Sequence, residues 1–368
     1  MVKVQFDHQV FSFQKFGGIS RYFAALSTYL EKSPDFDHEL KLLYSKNAYL
    51  SARNSIFHPR SESLFFQKHL TYFLNQKYSE RLISLNDFDV FHPTYYNPYF
   101  LKRIKKPFVI TVHDMIHELY PERFPKWDNT AARKKEVINR ADHIIAISES
   151  TKSDLQRILN VPDSKISVIH HGLFNNILVG NEGKGFAFHI MEDYSFLLFI
   201  GSRKGYKNFD RFIEAAAPIL HNNANLSIVC AGGGSFTENE LKELERFRIK
   251  DKVVQISATE SELNELYSKA LFFIYPSIYE GFGLPILEAF HNSCPVAVSN
   301  TSCFPEVGGD AVVYFDPVDL HDMNQAMQSL VDSAELRKKL RQNGSERLSV
   351  FSTKECMEKT AAVYKSLV

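Results

Sequence analysis

The chain has 368 residues, 44% hydrophobic and 23% charged, a length that points to two domains and a composition that excludes disorder or a disulfide scaffold. Its 43 basic side chains balance 43 acidic ones, so the net charge gives no reason to expect nucleic acid as a partner. The balance is uneven along the chain: residues 1–183 carry 24 basic and 19 acidic side chains, the remainder 19 and 24. Cys230, Cys294, Cys303 and Cys356 are too sparse for a zinc set or a redox pair and read as buried thiols of a reducing compartment. The opening MVKVQFDHQVF lacks the features of a secretory leader, and no apolar run reaches the roughly 18 residues that span a bilayer. A cytoplasmic protein is expected, with any membrane contact peripheral.

In chain order, VKVQFD (2–7), LKLLYS (40–45), DVFHP (89–93), FVITVHD (108–114) and HIIAIS (143–148) predict strands. Helical patterns fall between most of them, as in residues 18–32, where Tyr22, Ala25, Leu26 and Tyr29 recur at three- to four-residue spacing. Residues 171–193 contain four glycines without periodicity and read as a linker. The β-then-α order then restarts with SFLLFIGS (195–202), LSIVCAGGG (226–234), KVVQIS (252–257), LFFIYPS (271–277), PVAVSN (295–300) and AVVYFDP (311–317). Two α/β domains, each a parallel doubly wound sheet, are expected around a cleft.

The segment YPSIYEGFGLPILEAF, 275–290, runs a strand into a Pro-Ser turn, Glu280, Gly281-Phe282-Gly283 and a helix opening near Pro285. Glycines admit a ligand close to the backbone, and the free N–H groups of a helix N-terminus face negative charge beyond the strand end. Glu280 is then in the loop facing the ligand, with Glu288 a helical turn in and within reach of a hydroxyl pair; the alternative is a helix cap with one solvated glutamate. FIGSRKGYKNFDRF, 199–212, puts Arg203, Lys204 and Lys207 between strand and helix, a cationic pocket suited to a diphosphate or else a solvated charged face. TVHDMIHELYPE, 111–122, delivers His113 and Asp114 to the C-terminal edge of a sheet, where ligands bind, or where the two form a structural pair. FGGIS, 16–20, is a tight turn at a helix start. No G-x-G-x-x-G fingerprint exists, since Gly232-Gly233-Gly234 is followed by Thr237 where the last glycine belongs, which disfavours a nicotinamide dehydrogenase.

The Glu280 to Glu288 stretch resembles the EX7E signature of the retaining glycosyltransferases of family 4. The FGGIS, TVHD and FIGSRKGYK stretches, with SNTSCFPEVGGDAVVYFDPVD at 299–319, are similar to further stretches of that family in the same order, so the resemblance covers nearly the whole chain. It implies the GT-B fold: two Rossmann-like doubly wound domains facing a central cleft, an acceptor-binding domain of residues 1–175 plus a returning helix at 352–368, and a donor-binding domain at 176–351. Within it, Gly17 and Gly18 bring amides to the donor's phosphates, His113 contacts the donor sugar near the anomeric centre, and Arg203 and Lys207 hold the pyrophosphate. Glu288 grips the ribose hydroxyls, Glu280 with the amides of Phe282, Gly283 and Leu284 orients the sugar, and Ser302 and Glu306 touch the donor. The leaving phosphate itself takes the acceptor proton. In the returning helix, Ser352 is the expected cap and Ala362 and Tyr364 the expected packing face.

No cofactor and no metal are expected beyond a nucleotide sugar as substrate. Two Asp-Phe-Asp triplets, 35–37 and 87–89, are superficially like a metal site of another glycosyltransferase fold but lie beside predicted turns. His92, Tyr95 and Asn97, with Asp114, are the candidate acceptor-side groups. Residues 53–83 interleave Phe57, Phe65, Phe66, Tyr72 and Phe73 with Arg60, Lys68, Lys77 and Arg81, the composition of an interfacial helix or of core aromatics. The expected partners are therefore a nucleotide sugar and a saccharide or polyprenyl-diphosphate-linked acceptor, at the cytoplasmic face of the inner membrane. The opening FDHQVFSFQKFGGISRYF is similar to members that build bacterial O-antigen, which makes GDP-mannose the first donor and UDP-sugars the next. A non-hydrolysing sugar-nucleotide epimerase and a non-catalytic binding protein are the competing readings.

Overall fold

The computed structural model describes residues 1–50, 54–56, 68–174 and 195–368. The chain divides into two compact units, residues 1–180 with 352–368, and residues 181–351.

The first unit runs β1 (Val2–Phe6), α1 (Gln9–Phe13), α2 (Gly18–Lys32), β2 (Phe36–Glu39), α3 (Lys68–Leu85), β3 (Val90–His92), β4 (Val109–Val112), α4 (Ile116–Leu119), α5 (Thr130–Arg140), β5 (His143–Ala146), α6 (Glu149–Leu159) and β6 (Ile166–Val168). The strands are short apolar runs, as a parallel sheet covered on both faces requires. They pair in parallel in the orders β2-β1-β3 and β4-β5-β6, linked by a bridge from Phe91 to Phe108. The strand expected over 40–45 is not one. The β1–β2 register runs from Val2 opposite Phe36 to Gln5 opposite Glu39, so β2 ends where β1 has little left to pair with. Residues 43 and 44 instead take their hydrogen bonds from a side chain: both backbone N–H groups donate to Asn75 Oδ1, and Tyr44 O accepts from Asn75 Nδ2.

The second unit runs β7 (Ser195–Ile200), α7 (Phe209–Asn222), β8 (Leu226–Ala231), α8 (Glu238–Arg246), β9 (Val253–Ile256), α9 (Glu260–Lys269), β10 (Phe272–Tyr275), α10 (Leu284–His291), β11 (Val296–Ser299), α11 (Phe304–Gly308), β12 (Val313–Phe315), α12 (Leu320–Asp332) and α13 (Ala334–Leu348). All six expected strands are present, in one parallel sheet of order β12-β11-β10-β7-β8-β9. Its core gathers Leu197, Phe199, Phe212, Ile228 and Ile274, with Phe199 stacked on Phe212 at 5.8 Å. Each such side chain contributes about 1.5–3 kcal/mol by leaving water.

The last helix, α14 (Thr353–Ser366), belongs to the first unit. Ser352 caps it by accepting from the Glu355 N–H, as expected. Its buried face carries Tyr364, as expected, and Ala361; Ala362 is on the exposed side, a correction that follows from the 3.6-residue period once Thr360 and Tyr364 face inward. Tyr364 OH lies 2.6 Å from His92 Nδ1, and Thr360 Oγ1 lies 3.4 Å from Tyr22 OH. Replacing Tyr364 with Phe leaves a fully buried histidine nitrogen without its partner. The expected outcome is a loss of about 1–3 kcal/mol, read as a lowered urea midpoint for the first unit.

Candidate functional site

In an open α/β sheet, ligands settle where neighbouring strands send their connections in opposite directions. In the second unit that point is between β7 and β10, since β8 and β9 follow on one side of β7 while β10, β11 and β12 occupy the other. The two loops leaving these strands are tied by a backbone hydrogen bond from Ile278 N–H to Tyr206 O at 2.8 Å. There Lys207 Nζ donates to Glu280 Oε1 at 2.5 Å, with both side chains about one-sixth exposed. The ammonium also lies 5.3 Å from the Tyr275 ring centre and 5.2 Å from that of Tyr206. Burial, reinforced by the Glu280 carboxylate, pushes the Tyr275 phenol well above its ordinary pKa.

Glu280 is held from the loop after β11. Its N–H donates to Ser302 Oγ at 3.2 Å, and the Cys303 thiol donates to its carbonyl at 3.3 Å. Gly283 caps α10 in the left-handed region, φ 89°, where an added Cβ would come within 3.3 Å of Phe304 and Ile286. Phe282 is buried, Leu284 opens α10, and its first turn also holds Pro285. One turn further, Glu288 Oε2 accepts from Tyr267 OH at 3.2 Å. Glu306 lies on α11, where its carbonyl accepts from Arg347. Lys207, Glu280, Ser302 and the α10 N-terminus thus come together, with Glu288 on the same helix.

Arg203 does not join them. It is 4% exposed: Nε donates to Glu240 Oε1 at 2.8 Å, Nη1 to Gly232 O at 3.0 Å, and Nη2 to Gly234 O and Ser235 O at 2.9 and 3.0 Å. Gly232, Gly233 and Gly234 all have positive φ (90°, 73° and 74°) and wrap this guanidinium. A Cβ on Gly233 would stand 2.7 Å from Arg203 Nη1, so no larger residue fits there. The expected pyrophosphate role of Arg203 therefore gives way to a structural one. The adjacent cavity of about 610 Å³ offers no substitute: Asp210 and Glu243 line it along with Lys204 and Lys242, and the Arg203 charge is neutralised by Glu240.

In the first unit the corresponding point, between β1 and β3, is filled. Asp7 Oδ1 accepts from Thr94 N–H and Oγ1 at 2.8 and 2.7 Å, and Oδ2 from Gln9 Nε2 and Tyr99 OH at 2.7 and 3.1 Å. His92, an expected acceptor group, is fully buried with Tyr364 OH on one ring nitrogen and Thr111 Oγ1, 3.0 Å away, on the other, so it is a core residue. Asn97 caps a short turn through Tyr99 N–H and donates to Tyr72 OH at 3.1 Å. Tyr95 is half-buried between Phe13 and Tyr96. At the end of β4 His113 is buried, 7% exposed, and its buried Nε2 has no hydrogen-bond partner among the described residues. Burial lowers its pKa to about 4; Asp114 opposes that shift and Lys134 reinforces it, so the imidazole is neutral at physiological pH. Asp114 is held below the usual carboxylate range: burial acts upward and is outweighed by Lys134, the Ile116 N–H, His117 and His113. Gly17 and Gly18 stand at the start of α2, where Gly17 is extended and a Cβ on it would collide with Gln14.

Residues 16–173 match the family described as Glycosyltransferase Family 4, and residues 184–347 match Glycosyl transferases group 1. The chain is a glycosyltransferase, each half of it matching a glycosyltransferase family. It is 31% identical over 222 residues to the O-antigen chain mannosyltransferase RfbU of Salmonella typhimurium, a match spanning 60% of each chain. It is 28% identical over 291 residues to the O-antigen chain mannosyltransferase B of Escherichia coli, covering 76% of this chain and 74% of that one. The sucrose-phosphate synthase of Thermosynechococcus elongatus superposes with a TM-score of 0.73 at 16% identity, covering 100% and 99% of the two chains, and the fold is GT-B.

In this glycosyltransferase the Asp-Phe-Asp triplets lie at the N-terminal ends of strands, away from the ligand edge. Asp35 pairs with Lys365 and Asp87 with Lys3, each at 2.6 Å. Among the described residues no three metal-binding side chains gather. Of the aromatic-basic stretch, Arg53, Phe57, Arg60, Phe65 and Phe66 and the side chain of Lys68 lie outside the described residues. Lys134 was missed in the sequence, although it lies on the same helical stripe as the buried Val137 and Ile138. The Arg203 assignment is checked by Arg203→Met, which strands the Glu240 carboxylate. A loss of about 3–5 kcal/mol in the unfolding of the second unit is expected by calorimetry, far above the effect of removing a solvated cation.

Proposed function

We propose that the enzyme is a retaining, metal-independent hexosyltransferase that moves mannose from GDP-mannose to a saccharide or polyprenyl-diphosphate-linked saccharide in the assembly of a surface polysaccharide. The observation that carries this reading is the Lys207–Glu280 pair at the β7/β10 point of the second sheet, beside the open N-terminus of α10. A diphosphate seated there draws Lys207 from Glu280 and receives the α10 amides, so charge on the leaving group is met by a cation and a helix end. Glu280 and the Phe282, Gly283 and Leu284 amides then orient the sugar, Glu288 holds the ribose, and Ser302 and Glu306 border the donor. Gly17 and Gly18 supply further amides from the first unit.

In the transfer the acceptor oxygen bonds to the anomeric carbon as that carbon's bond to the phosphate oxygen breaks, on the same face. The departing phosphate takes the acceptor proton. His113, neutral at Nε2, hydrogen-bonds the sugar without adding charge to the reacting centre. The sugar is inferred from the names of the two O-antigen relatives. The epimerase reading needs a mobile carboxylate in the first unit, and Asp114 is engaged by Lys134 and the Ile116 N–H. Peripheral contact with the inner membrane fits α3, which exposes Leu70 and Phe73 with Lys77 above the Phe73 ring at 5.5 Å. Among the described residues no helix is long and apolar enough to cross a membrane.

A thermal-shift panel of GDP, UDP, ADP and dTDP is expected to single out GDP, since a hundredfold excess over the dissociation constant stabilises by about 2.7 kcal/mol. Glu288→Ala weakens that nucleotide at least about tenfold through loss of a charged hydrogen bond, and labelled mannose appears in a new glycoside with or without a chelator. Unchanged affinity in Glu288→Ala, or release of free nucleotide without a glycoside, contradicts the reading.

A further inference from the structure

Lys134 is fully buried, a lone cation among the largest fully buried side chains of the described residues. A buried ammonium persists only when closely paired. Its Nζ donates to Asp114 O and to Glu118 Oε2, both at 2.9 Å, and lies 3.5 Å from Asp114 Oδ1. The Tyr96 ring centre is 5.0 Å away. One charge thus joins α5, α4 and the turn that leaves β4. From the other side Tyr96 OH accepts the His113 N–H at 3.0 Å. The backbone of His113 and Asp114 is clamped at both ends by buried groups, and the imidazole is left with Nε2 unbonded.

We propose that Lys134 is a positioning residue for the transfer reaction: its ammonium fixes the turn that carries His113 and so holds the imidazole at the reacting centre. The inference rests on the reading that places His113 at the donor sugar. The groups facing His113 are Tyr22 and Phe23 from α2, His92 from β3, Tyr96 from the turn after β3, His171 from the segment after β6, and Asp114 and Lys134. Of these, Asp114 attracts a proton to the imidazole and Lys134 counters it. Burial still holds the imidazole neutral, but without Lys134 one of the two influences that oppose Asp114 is gone, and His113 titrates at higher pH.

The test uses the full chain with Lys134→Met, measuring kcat and donor KM from pH 3 to 8 and following the ¹⁵N-labelled His113 ring by NMR over the same range. A misplaced turn is expected to lower kcat about 100-fold. Donor KM is expected to change less than about twofold, because ground-state binding stays with the second unit. The His113 titration and the acid limb of the kcat profile should both move to higher pH. Unchanged kcat and titration, or equal losses in kcat and donor affinity at every pH, overturn the proposal. If the buried Glu118 charge prevents folding, Lys134→Met/Glu118→Gln removes both charges at similar volume and is read in the same way. His113→Ala separates the two claims: wild-type kcat in that variant refutes the placement of His113 at the sugar, while the His113 titration in Lys134→Met still decides whether Lys134 governs that imidazole.

Discussion

The second unit is organised by the position of its first strand. β7 is laid down in the middle of the sheet, with β8 and β10 added on opposite sides. The connections after β7 and β10 therefore diverge. A lysine from one loop meets a glutamate from the other, and the loops are joined by the Ile278 to Tyr206 backbone bond. With both side chains only about one-sixth exposed, the two charges neutralise each other in a medium of reduced dielectric. The Ser302 and Cys303 contacts to the Glu280 backbone keep the acidic partner in place.

The first unit shares the parallel-sheet architecture. Asp7 gathers Thr94, Gln9 and Tyr99 into a polar knot at the equivalent point, so that crevice is structural. At the end of β4 His113 is buried among Tyr22, Phe23 and His171. The pattern explains why a histidine that looks alike in the sequence, His92, serves packing: its strand neighbours the filled crevice, and α14 covers it.

Most of the strands were legible because parallel strands buried on both faces read as uninterrupted apolar runs, and each of the six in the second unit is such a run. The failure at 40–45 shows the limit of that signal. Leu40, Leu42 and Tyr44 are buried as a strand's would be, yet pairing depends on where β1 ends, which local composition does not encode. The same limit divides the site. Lys207, Glu280 and the α10 turn were visible because each lies just past a strand end. Arg203 sits in the same loop as Lys207, and only the three-dimensional path of Gly232 to Gly234 shows it turning inward to Glu240. Lys134 was hidden in a run of basic residues whose other members face water, although its place on the apolar stripe of α5 marked it.

The placement of α14 has a consequence for how the molecule is made. The second unit is contiguous in sequence, so all of its sheet is available once synthesis has passed β12 and the helices that follow. The first unit is not: Tyr364 and Thr360 fill its interior against His92 and Tyr22, and both are synthesised after the whole of the second unit. Domains ordinarily mature in the order in which they leave the ribosome. Here the first unit lacks its cover over His92 until the second unit has been synthesised, so its completion depends on a helix made after a domain that begins later in the chain.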